Sequence, residues 1–213
     1  MKMRKKLPCG QSNYEKIRTE NYIYVDKTRF IEQIENEANS YSFLIRPRKF
    51  GKSLFLSTLR NYYDICKADD FDKLFGDLYI GENPTLKRNS LFVIQFSFAG
   101  IDTTTVERFQ ISFNRTIEAS VKYFFNHYQD FIDTDYYKKL EILLIEESGK
   151  IGVESIEKHV FDVVKKNKGK LFVIIDEYDH FANDLIAQGT NLSIKQYKEL
   201  IWANGVVRDF TKL

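Results

Sequence analysis

Ser42-Phe43-Leu44-Ile45-Arg46-Pro47-Arg48-Lys49-Phe50-Gly51-Lys52-Ser53 runs directly into Leu54-Phe55-Leu56-Ser57-Thr58-Leu59, and this stretch decides how the chain is read. Residues 41–45 have the composition of a short apolar strand. Pro47 biases Arg46 away from helical dihedrals, so that strand should end in an extended residue and a loop. From Lys52 the spacing of Leu54, Leu56, Leu59, Tyr62, Tyr63 and Ile65 predicts a helix to about Cys66. A strand, a loop and a helix N-terminus in that order suit a phosphate, because consecutive N–H groups and the positive end of the helix dipole face the anion. The Lys52 ammonium can reach the β/γ oxygens of a nucleoside triphosphate, and the Ser53 hydroxyl can ligate Mg²⁺. Arg48, Lys49, Phe50, Gly51, Lys52, Ser53 and Leu54 form the expected cradle. The full phosphate-loop pattern has glycine where this chain has Arg46, and Pro47 fixes one dihedral in its place. Arg46, Arg48 and Lys49 read as a solvated basic rim, with phosphate or partner contact as the alternative.

A second half of the same chemistry lies further along. Lys170-Leu171-Phe172-Val173-Ile174-Ile175-Asp176 is a strongly apolar strand, of the kind covered by helices on both faces. Asp176-Glu177 then falls at the C-terminal end of that strand, where open α/β sheets place ligands. Asp176 can hold Mg²⁺, and Glu177 can polarise a water for attack on the γ phosphorus. Each pair alone has a bland reading: Gly-Lys-Ser recurs by chance, and Asp-Glu often just opens a polar loop. On successive strands in the required chain order, the two support each other.

Between these segments, residues 22–28 read as extended, with Asp26 or Thr28 capping a helix over 30–37. Residues 71–84 read as loop, 90–97 as strand, and 135–147 and 156–166 as helices. A long helix capped by Thr104 or Thr105 runs to about Tyr128, and a last helix spans 194–210. Strands separated by helices imply crossovers and a mainly parallel sheet, hence an α/β fold.

With 213 residues the chain is long enough for a core without staples, and 32 Lys plus Arg against 30 Asp plus Glu give no global field for nucleic acid or membrane. No apolar run approaches a membrane span. Cys9 and Cys66 lack zinc spacing, so the chain reads as a cytoplasmic protein with reduced thiols.

The wording Arg46-Pro47-Arg48-Lys49-Phe50-Gly51-Lys52-Ser53-Leu54, with Leu7-Pro8, Tyr24-Val25-Asp26-Lys27-Thr28 and Val173-Ile174-Ile175-Asp176-Glu177-Tyr178-Asp179, resembles the bacterial AAA-ATPase-like family, P-loop proteins allied to the AAA and STAND ATPases. The resemblance covers essentially the whole chain and makes Arg46 a family habit. It implies a P-loop NTPase-type three-layer sandwich over 1–213, binding ATP and Mg²⁺ in an ATPase reaction. Lys52 would hold β/γ phosphate, Ser53 and Asp176 the metal, and Glu177 the hydrolytic role. Related ATPases carry a sensor strand that this sequence lacks, so an incomplete sheet, truncated before that strand, is expected. Self-association or a C-terminal nuclease-like region, absent here, would be its partners.

Three other readings compete. Asp176-Glu177-Tyr178-Asp179-His180 spells a helicase box, implying action on nucleic acid, but no Ser-Ala-Thr-like motif or second motor accompanies it. A passive nucleotide-binding module would bind without turnover. A metal hydrolase would use Asp176, Glu177 and His180. His127 and His159 fall on helices away from acidic clusters, and Arg208 is a candidate for contacting a neighbour's γ phosphate.

Overall fold

A computed structural model describes residues 5–36, 42–45, 47, 49–146 and 156–177. The chain divides into two compact units at Val93/Ile94, inside a strand.

The first unit is helical. Asn13 caps α1 (Tyr14–Thr19), its side chain accepting from the Lys16 N–H. α2 is Arg29–Asn36, α3 is Lys52–Tyr63, and a 3₁₀ turn follows at Ile65–Lys67. Two short helices, α4 (Phe71–Phe75) and α5 (Tyr79–Glu82), complete it. The core is aromatic. Tyr14, Tyr62, Tyr63, Phe71 and Phe75 are buried, with Tyr14 stacked on Phe75 at 5.0 Å and edge-on to Tyr24 at 5.2 Å. A buried tyrosine must satisfy its polar atoms. Tyr14 does so by donating its hydroxyl to the Leu74 carbonyl (2.7 Å) and its N–H to Ser57 Oγ on α3 (3.0 Å).

The Tyr24–Thr28 motif ties these helices together. The Asp26 Oδ1 accepts from the Thr28 N–H and hydroxyl, and its Oδ2 accepts from the Tyr79 N–H at 2.9 Å. The Thr28 hydroxyl in turn accepts from the Ile80 N–H. Burial alone would raise the Asp26 carboxyl, but the Tyr79 and Thr28 donors outweigh it and hold the group below its usual range. The Asp26 and Thr28 side chains therefore serve the first amides of α5, and it is the Thr28 backbone carbonyl that accepts from the Ile31 N–H of α2. This also explains why 71–84 is not the loop that composition suggested: its short helices are fixed by side chains from about fifty residues away.

In the second unit β1 (Phe92–Ser97) pairs with β2 (Leu171–Asp176) in a two-stranded parallel sheet. α6 (Val106–His127) and α7 (Thr134–Glu146) lie between them in sequence, followed by a π turn (Ile156–Val160) that leads into α8 (Phe161–Lys166). Thr105 caps α6, accepting from the Arg108 N–H as its sequence position suggests. Phe109, Phe113, Ile117, Val121 and Phe124 are buried at the expected helical spacing. α8 ends in a two-bond reversal: Lys168 N–H to the Lys165 carbonyl, and Gly169 N–H to the Val164 carbonyl. The left-handed residue is Lys168 (φ 52°), and Gly169 follows it.

Three further expectations change. Residues 42–45 belong to no strand among the described residues, and Phe43 and Ile45 are 75% and 83% exposed. Apolar composition marks a segment that can pair but cannot supply its hydrogen-bonding neighbour. β2 is not covered on both faces: Ile174 and Asp176 are buried, while Val173 and Ile175 are exposed. This is the period-two pattern of a half-buried strand, which a continuous apolar run hides. The architecture is thus α/β with a small parallel sheet, and the described residues do not build the three-layer sandwich. The helix expected at 194–210 lies outside the described residues.

Asp26→Asn is expected to lower stability at pH 7 by about 1 kcal/mol, the net value of such hydrogen bonds. Because the folded pKa is depressed, this contribution is present above the unfolded value near 4 and disappears as pH falls through the folded one. Urea melts of both proteins at several pH values should therefore converge in acid. In the same assay Lys168→Gly should add about 0.5–1 kcal/mol by removing a left-handed Cβ.

Candidate functional site

The two sequence motifs belong to different units, the loop and α3 to the first and Asp176-Glu177 to the second. In the first, Pro47–Phe50 forms a turn in which the Phe50 N–H donates to the Pro47 carbonyl at 3.3 Å. Lys49, its third residue, is left-handed (φ 69°). Phe50 is exposed. Gly51 is left-handed as well (φ 77°, ψ 25°) and stands at the N-cap of α3. Its carbonyl accepts from the Phe55 N–H at 2.9 Å, the first bond of the helix. Glycine has no side chain with which to cap the opening amides of the helix, so this start lacks the usual N-cap side-chain hydrogen bond.

α3 is held by its opposite face. Phe55, Thr58, Leu59, Tyr62 and Tyr63 are buried, whereas Lys52, Ser53 and Leu54 are half-buried at the open end. Core packing thus fixes the axis of a helix whose N-terminus stays accessible. Arg48 and Arg46, expected on the cradle and rim, lie outside the described residues.

In the second unit Asp176 is 6% exposed at the end of β2. Its carbonyl accepts from the Phe98 N–H at 3.1 Å, continuing the ladder, and its Oδ1 accepts from the Glu177 N–H at 3.0 Å. Glu177 is half-buried with φ 55°. Tyr178, Asp179, His180 and Arg208 lie outside the described residues. As donors, the Ser53 hydroxyl and the Asp176 carboxylate are hard oxygens, the chemistry that suits Mg²⁺.

His159 differs from its expected setting away from carboxylates. Its Nδ1 is 3.3 Å from the Tyr136 hydroxyl, and Asp162 is close to both. A hydrogen bond from Lys166 is the main influence holding the Asp162 carboxyl low, with Tyr136 and His159 contributing. Burial first, and Asp162 second, push the Tyr136 hydroxyl up to about 12. Nothing in the sequence pattern announced this group, because the π turn sets its register. The structural part of Asp26 was also hidden, although its Asp-x-Thr spacing is an Asx-turn signal.

A family model described as "Predicted AAA-ATPase" matches residues 8–212, and the chain belongs to this AAA-ATPase-like family. Among curated proteins, an "Uncharacterized protein in vnfD 5'region" of Azotobacter chroococcum mcd 1 is 52% identical over 61 residues. That match spans 28% of this chain and 12% of that protein. No solved structure matches the chain significantly.

At Gly51 an added Cβ would meet nothing within 4 Å, so any cost of a side chain is conformational and not steric. Gly51→Ala should destabilise by about 1 kcal/mol in a denaturant melt, the penalty for a left-handed L-residue. A neutral or stabilising result would show that the helix does not open with the observed backbone.

Proposed function

We propose that this AAA-ATPase-like chain binds Mg-ATP and hydrolyses it. The observation that carries the reading is the start of α3: an accessible helix N-terminus opening at Lys52 and Ser53 behind a left-handed glycine. The family description supports it independently.

In this reading the amides at the start of α3 bind phosphate oxygens, and the Lys52 ammonium neutralises charge on the β/γ phosphates. The Ser53 hydroxyl and the Asp176 carboxylate would hold Mg²⁺, which supplies further neutralisation of charge on the transferring phosphoryl group. Glu177 accepts a proton from, and orients, the attacking water. Arg48 and Lys49 would lie along the phosphates as part of the loop, with Phe50 and Leu54 contributing backbone.

A ligand at a hundred times its Kd stabilises the folded state by about 2.7 kcal/mol, so saturating Mg-ATP should raise Tm by roughly 5–10 °C. Lys52→Ala should abolish that shift, and Glu177→Gln should keep it while removing phosphate release. A full shift in Lys52→Ala would overturn the proposal. Binding without turnover in the parent protein, indifferent to Glu177→Gln, would identify a passive nucleotide module.

A further inference from the structure

Among the described residues, five other than glycine have positive φ: Asn21, Lys49, Asn89, Lys168 and Glu177. Four have a local reason. Asn21 and Lys168 each follow the C-cap of a helix, α1 and α8, where a left-handed residue lets the next N–H reach back: Tyr22 to the Ile17 carbonyl, and Gly169 to the Val164 carbonyl. Asn89 is a residue type that tolerates this region. Lys49 holds the third place of a hydrogen-bonded turn. Among the described residues, Glu177 has none of these grounds. It follows a strand, and it is neither glycine nor asparagine.

The bonds of the peptide between Asp176 and Glu177 supply the reason. Flipping a peptide plane changes ψ of the residue before it and φ of the residue after it by about 180° in compensating senses, leaving the side chains nearly in place. The alternative orientation would give Glu177 an ordinary extended φ. Two hydrogen bonds oppose it. The Asp176 carbonyl accepts from the Phe98 N–H at 3.1 Å, and the Glu177 N–H donates to Asp176 Oδ1 at 3.0 Å. The left-handed φ is the conformational cost of aiming that N–H at a carboxylate which is itself 6% exposed.

We propose that the backbone N–H of Glu177 is a positioning group for Asp176. It holds the carboxylate in the rotamer that receives a divalent cation, and the fold bears the strain at Glu177 to keep it there. The assignment rests on the Mg-ATP reading for its purpose but not for its structural content. It gives Glu177 two separable parts, a carboxylate facing the chemistry and an amide that orients the neighbouring metal ligand. Outer-shell donors of this kind tune metal affinity by about 10–100-fold.

A double-mutant cycle read by Tm, without nucleotide or metal, tests the strain. Glu177→Gly should melt about 2–4 °C above Glu177→Ala, because both lack the carboxylate and only alanine bears the left-handed penalty. The gap should persist with Asp176→Asn, whose amide oxygen still accepts the N–H. With Asp176→Ala, which removes one of the two bonds that oppose the flip, it should shrink, vanish or reverse. Glycine at or below alanine in the parent background, or an equal gap in all three backgrounds, overturns the inference.

The metal-positioning part is read separately. Glu177→Pro deletes the N–H that Glu177→Ala retains and, with φ fixed at about −65°, also turns the peptide away from its observed orientation. It should need about tenfold more Mg²⁺ for half-maximal stabilisation by ATP, with unchanged ATP stabilisation in EDTA. Equal Mg²⁺ requirements would remove the positioning role, and if the proline variant does not fold, the cycle decides alone. Absence of any Mg-ATP shift in the parent protein would instead sink the nucleotide reading, while the cycle still reports on the peptide.

Discussion

The burial of Tyr14 is the constraint on which the first unit depends. A phenol at the centre of an aromatic cluster contributes on the order of 2 kcal/mol through its area, provided its polar atoms are not stranded. Here the hydroxyl reaches the Leu74 carbonyl and the N–H reaches Ser57 Oγ. Those two bonds come from α4 and α3, so satisfying one residue fixes two helices against α1. Burial pushes the Tyr14 hydroxyl well above the usual phenol range, which keeps it a donor at any ordinary pH. The axis of α3, and with it the direction in which its N-terminus points, follows from its packed face and from the bond at Ser57, one turn from Ser53.

The motif at Tyr24–Thr28 extends the same logic. Tyr24 packs edge-on to Tyr14, Asp26 serves the Tyr79 amide, and Thr28 is fully buried beneath the Ile80 amide. A carboxylate bound to backbone N–H groups is stronger than a neutral acceptor. It can therefore hold a helix of only four residues, which has too few internal bonds to persist by itself. A motif that could be read as functional from its wording is thus accounted for within the first unit as a set of ties between helices.

Helix identity was legible in the sequence wherever period and cap agreed. Thr105 followed by Phe109, Phe113 and Ile117 placed α6 to within a residue at either end, since local hydrogen bonding and core burial pointed to the same register. Legibility failed where a partner distant in sequence decides the outcome. Residues 42–45 have strand composition, but pairing is not encoded in composition. The 156–166 stretch was read as one amphipathic helix, yet it opens with a π turn that shifts the register of His159. At the candidate site, Gly51, Lys52 and Ser53 were legible because glycine before a helix N-terminus has a direct backbone meaning. The orientation of the Asp176–Glu177 peptide was not, because glutamate carries no signal for a left-handed φ.

That last failure is informative in itself. Local propensity and global structure agree along most of a natural chain, and sites where they conflict are where function imposes a conformation. Asn21 shows the agreement: a left-handed helix end filled by a residue suited to it. Lys168 occupies the same kind of position with a less suitable residue, so a positive φ alone does not mark function. What sets Glu177 apart is that no helix end or turn among the described residues accounts for it, together with an N–H directed at a buried carboxylate. Strain becomes evidence of function only after its structural uses have been subtracted, and at the end of β2 what remains is the orientation of Asp176.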